Sequence, residues 1–157
     1  MYVGRILSLK DLEESVFLFG CRQSGKTMLL RQTVEPDLYI DLLKKSERTR
    51  YMSNAELLGA EIDALGREAP LIVIDEIQKV PGLLDEVHRA IESDVSARFI
   101  LTGSSARKLK RSHANMLGGR AATLKLFPFC YREIHDSFSL IDYLHFGGLP
   151  PVWLAGS

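Results

Sequence analysis

Apolar and polar positions along the chain switch between a period of two and a period near 3.6, and the switches mark out the elements. Ser15-Val16-Phe17-Leu18-Phe19 is an apolar run of strand length, and Met28-Leu29-Leu30-Arg31-Gln32 behind it consists of good helix formers. Glu35-Pro36-Asp37 breaks the pattern, after which Leu38-Tyr39-Ile40-Asp41-Leu42 predicts a second strand. Residues 44–50 are charged and without period, so they are expected to be irregular. Ser53 and Glu56 match a capping box, and Leu57, Leu58, Ile62 and Leu65 then recur on one helical face as far as Gly66. Leu71-Ile72-Val73-Ile74 is unbroken and mostly β-branched, as a strand covered on both faces is, and it ends in Asp75-Glu76. A turn over 78–81 leads to Leu83, Leu84, Val87 and Ile91, an amphipathic helix; Arg98 to Thr102 and Ala122 to Leu126 predict further strands, and 138–146 a last helix. Arg5 to Glu14 reads as a short helical lead-in with Ile6, Leu7 and Leu12 as packing residues. Strands alternating with helices predict an α/β fold: a three-layer α/β/α sandwich around a doubly wound parallel sheet.

At the first strand-to-helix turn stand Gly20, Cys21, Arg22, Gln23, Ser24, Gly25, Lys26 and Thr27, which fit G-x-x-x-x-G-K-[ST] with no departure. This is the phosphate-binding loop, or Walker A pattern, and with it the fold becomes that of P-loop NTPases. Gly20 and Gly25 let the backbone turn and bring its N–H groups close to phosphate oxygens. The helix that begins there, with Met28 in its first turn, adds the positive end of its dipole. Lys26 is expected on the β- and γ-phosphates, and the Thr27 hydroxyl on Mg²⁺. Cys21 occupies a variable position of the pattern, where a small residue is tolerated.

The second anchor is Asp75-Glu76 at the end of the buried strand. Asp75 is the expected Walker B aspartate, holding the water shell of Mg²⁺, and Glu76 the carboxylate that polarises the attacking water. Thr102 or Ser104, at the tip of a neighbouring strand, suits a sensor that hydrogen-bonds that water or the γ-phosphate; Ser104 and Ser105 suit a helix N-cap equally well. Arg107, Lys108, Lys110 and Arg111, with Lys44, Lys45, Arg48 and Arg50, leave room for a face turned to nucleic acid or to a partner.

The 157 residues fit one domain, and 46% hydrophobic with 25% charged residues is ordinary for a globular protein. Twenty basic and 20 acidic residues give zero formal charge, which argues against a dedicated polyanion binder. Cys21 and Cys130 belong to no C-x-x-C pair, and the four histidines show no metal-ligand spacing. No apolar run is long enough to span a bilayer and no signal-peptide core follows Met1, so no membrane association and a cytoplasmic location are expected. Gly147-Gly148-Leu149-Pro150-Pro151-Val152-Trp153 has the look of an entrance to another unit. The organisation expected is therefore a nucleotide-binding core over 1–128 and a connector over 129–157 leading into a further domain.

Together, GCRQSGKTMLLRQ, LIVIDEIQKVPGLLDEVH, FILTGSSARKL, LGGR, LFPFCYREI and GGLPPV resemble the AAA-type ATPase domain of bacterial and archaeal proteins that carry a C-terminal domain of unknown function. The blocks are similar to the archaeal ATPase branch of the AAA+-like superfamily and cover nearly the whole chain. The resemblance implies an ATP-binding and ATP-hydrolysing core using Mg²⁺, with Lys26 and Thr27 on phosphate and metal, Asp75 and Glu76 as the acidic pair, and residues 102–105 as sensor. It also implies that Arg120 approaches the nucleotide or acts across a subunit interface of a homo-oligomer, with a structural ion pair as the alternative. The function expected is an Mg²⁺-dependent ATPase whose ATP or ADP state drives conformational change in an attached or partner domain. The alternative is a nucleotide-gated module, associated with DNA or a partner protein, that hydrolyses little. A P-loop kinase fits less well, since no acceptor-binding or lid-arginine pattern is present.

Overall fold

The computed structural model describes residues 3–10, 12–93, 95–104, 117 and 119–155. The elements run β1 (Ser15–Phe19), α1 (Lys26–Thr33), β2 (Leu38–Asp41), α2 (Lys45–Ser53), α3 (Leu57–Ala64), β3 (Leu71–Asp75), a 3₁₀ turn (Ile77–Lys79), α4 (Leu83–Glu92), β4 (Arg98–Gly103) and β5 (Ala121–Lys125). Three short helices follow, α5 (Tyr131–Ile134), α6 (Leu140–Phe146) and α7 (Pro150–Ala155), with a 3₁₀ turn over His135–Ser137. The strands form one sheet in the order β2-β3-β4-β1-β5, and all neighbouring pairs are parallel.

The unbroken apolar strands serve two cores at once. Ile72 and Ile74 of β3, with Phe99 and Leu101 of β4, pack under α2, α3 and α4. Val73 and Ile100, one residue out of phase, point to the other layer with Val16, Leu18, Leu29 and Leu30. Each of these side chains, fully buried, contributes about 1.5–3 kcal/mol of transfer free energy. The three-layer α/β/α sandwich is thus present, and parallel strands bring the C-terminal ends of β1, β3 and β4 to one edge.

Three local expectations are corrected. The described residues of 5–14 lie in no helix: Leu9 is buried against α1, while Ile6 is 60% exposed. Residues 44–50 are not irregular: Lys44 is the N-cap of α2 and 45–50 are its first six residues. Lys, Arg and Glu are good helix formers without an apolar stripe, and Tyr51 anchors the helix by burying its ring and donating its hydroxyl to Glu61. No capping box forms at Ser53, which is the last residue of α2; Asn54 Oδ1 instead accepts the Glu56 N–H at 3.0 Å.

The described part of the expected connector, 129–155, folds back onto the core. Phe129, Ile134 and Trp153 form a third cluster with Val3, Phe138 and Tyr143. The Phe129 N–H donates to the Gly148 carbonyl at 2.7 Å, and the Tyr143 hydroxyl donates to the Phe129 carbonyl at 2.8 Å. Ser105, Arg107, Lys108, Lys110 and Arg111 lie outside the described residues.

Candidate nucleotide site

The loop between β1 and α1 is shaped by two glycines. A Cβ on Gly20 would stand 2.6 Å from the Leu126 carbonyl oxygen and 2.7 Å from Ser24 Oγ, so only glycine fits there. Gly25 has φ 95°, in the left-handed region that glycine enters without a steric penalty, and Gln23 has φ 65°. The turn aims the head of α1 into the loop, where a helix leaves its first N–H groups without intrahelical acceptors. Ser24 Oγ is fully buried without a partner among the described residues. Lys26 is 6% exposed, and its ammonium donates to the carbonyls of Gly20 at 2.9 Å and Cys21 at 3.2 Å. Helix-head N–H groups, a turn made tight by Gly20 and Gly25 and a buried ammonium suit a polyphosphate tail.

Asp75 reaches this loop from the end of β3. The Thr27 hydroxyl donates to Asp75 Oδ2 at 2.9 Å across a separation of 48 residues. Tyr39 of β2 donates its hydroxyl to the same oxygen at 3.0 Å, and Thr102 of β4 donates to Asp75 Oδ1. Burial and the Asp75 carboxylate push the Tyr39 phenol well above its ordinary range, so it stays a donor. A hydroxyl beside a carboxylate that is 2% exposed is the hard oxygen set that Mg²⁺ prefers.

Glu76 adopts φ 64°, a conformation that costs a non-glycine residue on the order of 1 kcal/mol and turns its side chain toward the loop. Its carboxylate lies 4.0 Å from the Lys26 ammonium and accepts from Gln78 Nε2. Gln78 Nε2 also reaches Ser104 Oγ at 3.5 Å. Thr102 is fully buried; its oxygen accepts the Glu76 N–H at 2.9 Å while its proton goes to Asp75. That hydroxyl therefore holds the two acids in place, while Ser104 is linked to the Glu76 carboxylate through Gln78 Nε2.

Lys26, Thr27, Asp75, Glu76, Thr102 and Ser104 are thus brought together. Arg22, Gln23 and Met28 line the adjoining cleft, while Cys21 is exposed on the loop. Arg120 is not brought there. It precedes β5, whose Ala121 is level with Ser15 at the far end of β1, and its guanidinium pairs with Glu92 of α4. On α2, Arg50 is paired with Glu47 and Glu61, which reduces the basic face expected from that helix.

Beyond the loop the cleft, about 570 Å³, turns apolar: Val3, Leu43, Phe129, Pro150, Pro151 and Leu154 line it. Reading the sequence missed this wall, as it missed Tyr39, Gln78 and Arg5. Tyr39 alternates with buried Ile40 along β2, a position whose hydroxyl needs a partner; Arg5 interrupts an apolar lead-in. Those were the available signals.

A family model described as an AAA domain matches residues 12–135. The chain belongs to this AAA domain family. An uncharacterized protein of Haemophilus influenzae is 29% identical over 182 residues, covering 98% of this AAA domain chain and 44% of its own length. An uncharacterized protein of Mycobacterium tuberculosis is 32% identical over 145 residues, 90% of this chain and 31% of its own. The chain spans less than half the length of these curated relatives. Among solved structures, the Walker-type ATPase of Pyrococcus abyssi superposes with TM-score 0.56 at 18% identity, over 87% of this chain and 59% of that one. The Aeropyrum pernix ORC1 protein, solved in complex with DNA, superposes with TM-score 0.54 at 16% identity, over 78% and 42%. The AAA domain thus has the fold of P-loop ATPases. Among the described residues no helix is long and apolar enough to cross a membrane.

Proposed function

We propose that this domain binds ATP with Mg²⁺ and hydrolyses it, and that the nucleotide state is passed to an attached or partner domain through residues 129–155. One observation carries the reading: Thr27 and Asp75, from two motifs 48 residues apart, meet at 2.9 Å. Lys26 and Glu76 face each other beside them. In this reading the loop N–H groups and Lys26 hold the phosphates, Thr27 and Asp75 hold the metal, and the apolar wall takes the base. Bound Mg²⁺, held by Thr27 and Asp75, would supply charge neutralisation for the phosphates. Glu76 would accept a hydrogen bond from the attacking water and take up its proton as the bond to the γ-phosphorus forms and the bond to the β-γ bridging oxygen breaks. Thr102 and Tyr39 keep Asp75 oriented, and Ser104 reports on the γ-phosphate end.

One feature favours the second reading, a nucleotide-gated switch with little hydrolysis. The Glu76 carboxylate is engaged by Gln78 and lies near Lys26, so it must exchange those contacts before it can take a proton from water. Phosphate release by the purified chain with ATP and Mg²⁺, compared with Glu76→Gln, separates the two. We expect wild-type turnover and a loss of about 10²–10⁴-fold in the variant, the span of general-base catalysis. Equal rates would remove Glu76 from the mechanism; a wild type that binds ATP and releases no phosphate would establish the switch.

A further inference from the structure

Arg5 belongs to no motif, yet its side chain is only 5% exposed and sits against the phosphate loop. Its Nη1 donates to the Ser24 carbonyl at 2.7 Å, its Nη2 to the Phe127 carbonyl, and its Nε to Glu133 Oε1 at 2.9 Å, 128 residues away. The cation lies over the Phe129 ring, 4.9 Å from its centroid. Glu133 is itself fixed by the N–H groups of Ile6 and Cys130, each at 3.0 Å. All three guanidinium nitrogens are therefore taken by protein acceptors from three parts of the chain, a match that the planar fork of arginine makes and the point charge of lysine does not.

The cleft has two ends of different origin. The anion end is the loop over 20–28; the apolar end is Val3, Phe129 and α7. Arg5 is where they are joined, with the loop carbonyl on its edge and the Phe129 ring on its face. Three of its five N–H groups hold Ser24 of the loop, Phe127 beside the wall and Glu133, so Arg5, which itself lines the cleft, fixes the spacing of the two ends. On the reading that the cleft takes ATP, we propose that Arg5 is the positioning residue that makes the site select a nucleoside triphosphate over a bare triphosphate. It sets the distance between the apolar wall and the phosphate loop before the ligand arrives. A base and its phosphates then gain both sets of contacts without ordering the wall at the moment of binding. Inorganic tripolyphosphate touches the loop alone and gains nothing from the wall.

The test is calorimetric titration of the full chain with ATP and with inorganic tripolyphosphate, each with Mg²⁺, for wild type, Arg5→Ala and Arg5→Lys, with thermal unfolding to verify folding. Wild type is expected to prefer ATP. In either folded variant that preference should fall by about tenfold or more while tripolyphosphate affinity stays within about threefold, the signature of a lost wall and a retained loop. Arg5→Lys keeps the charge and serves where Arg5→Ala does not fold. An unchanged preference, or equal weakening of both ligands, overturns the role of Arg5 and leaves nucleotide binding standing. A wild type that binds neither ligand overturns the ATP reading and this proposal with it.

Discussion

Thr102 donates its hydroxyl to Asp75 Oδ1, and the Thr102 hydroxyl oxygen in turn accepts the backbone N–H of Glu76. One buried side chain on β4 thus fixes both acids at the tip of β3. Replacing Thr102 by valine keeps the shape, removes the hydroxyl and leaves a buried carboxylate oxygen and a peptide N–H without their partner. We expect Thr102→Val to lose about 1–3 kcal/mol in urea unfolding, the cost of unsatisfied buried polar groups, with Thr102→Ser restoring most of it. Stability equal to wild type would show that Thr102 does not hold the acids.

Among the described residues the Lys26 ammonium donates to the loop's own carbonyls, with the Glu76 carboxylate 4.0 Å away, and an incoming phosphate would compete for that charge. Lys26→Ala is expected to weaken ATP binding roughly ten- to hundredfold, the equivalent of a hydrogen bond to a charged group at about 1.5–3 kcal/mol. Fluorescent-nucleotide titration measures it; an affinity within twofold of wild type would place the phosphates elsewhere.

Tyr39 donates to Asp75, the carboxylate assigned to Mg²⁺, so its removal should appear in the metal dependence. We expect Tyr39→Phe to raise the Mg²⁺ concentration giving half-maximal phosphate release by about tenfold, the low end of the range for lost outer-shell partners. Because burial and Asp75 push the phenol up from its ordinary value of 10.0, the stability it contributes is complete below that pH and declines only above it. Unfolding of wild type and variant across pH 7 to 11 should therefore show a constant gap that narrows at the alkaline end.

Burial alone would raise the Glu133 carboxyl, but the Ile6 N–H, the Arg5 guanidinium and the Cys130 N–H hold it below its ordinary value of 4.5. A depressed carboxylate stabilises the fold above its unfolded value and ceases to do so as pH falls through the lower folded one. The stability difference between wild type and Glu133→Gln should thus be constant near neutrality and close below pH 4.5. A difference independent of pH would mean that the carboxylate charge contributes nothing to the contact with Arg5.

The buried strands and the phosphate loop were legible because each carries a local signal. Val16, Leu18, Val73 and Ile100 declare themselves by unbroken apolar runs, and the loop by its glycines and lysine. What sequence reading missed rests on long-range contacts. Tyr51 makes a helix of a charged stretch through a hydroxyl given to Glu61, and Arg5 finds Glu133 across almost the whole chain. That β4 lies beside β3 was expected from the placing of Thr102, but its pairing with β1 on the other side was absent from the spacing, which orders strands along the chain and not across the sheet.

That position has a mechanical consequence. The strand leading to the phosphate loop and the strand leading to the acids share no hydrogen bonds, so only β4 ties them together inside the sheet. A ligand resting on both strand tips would act as a crossbeam over the slat between them. Whatever spreads or closes the tips then becomes a matter of how tightly that beam is gripped.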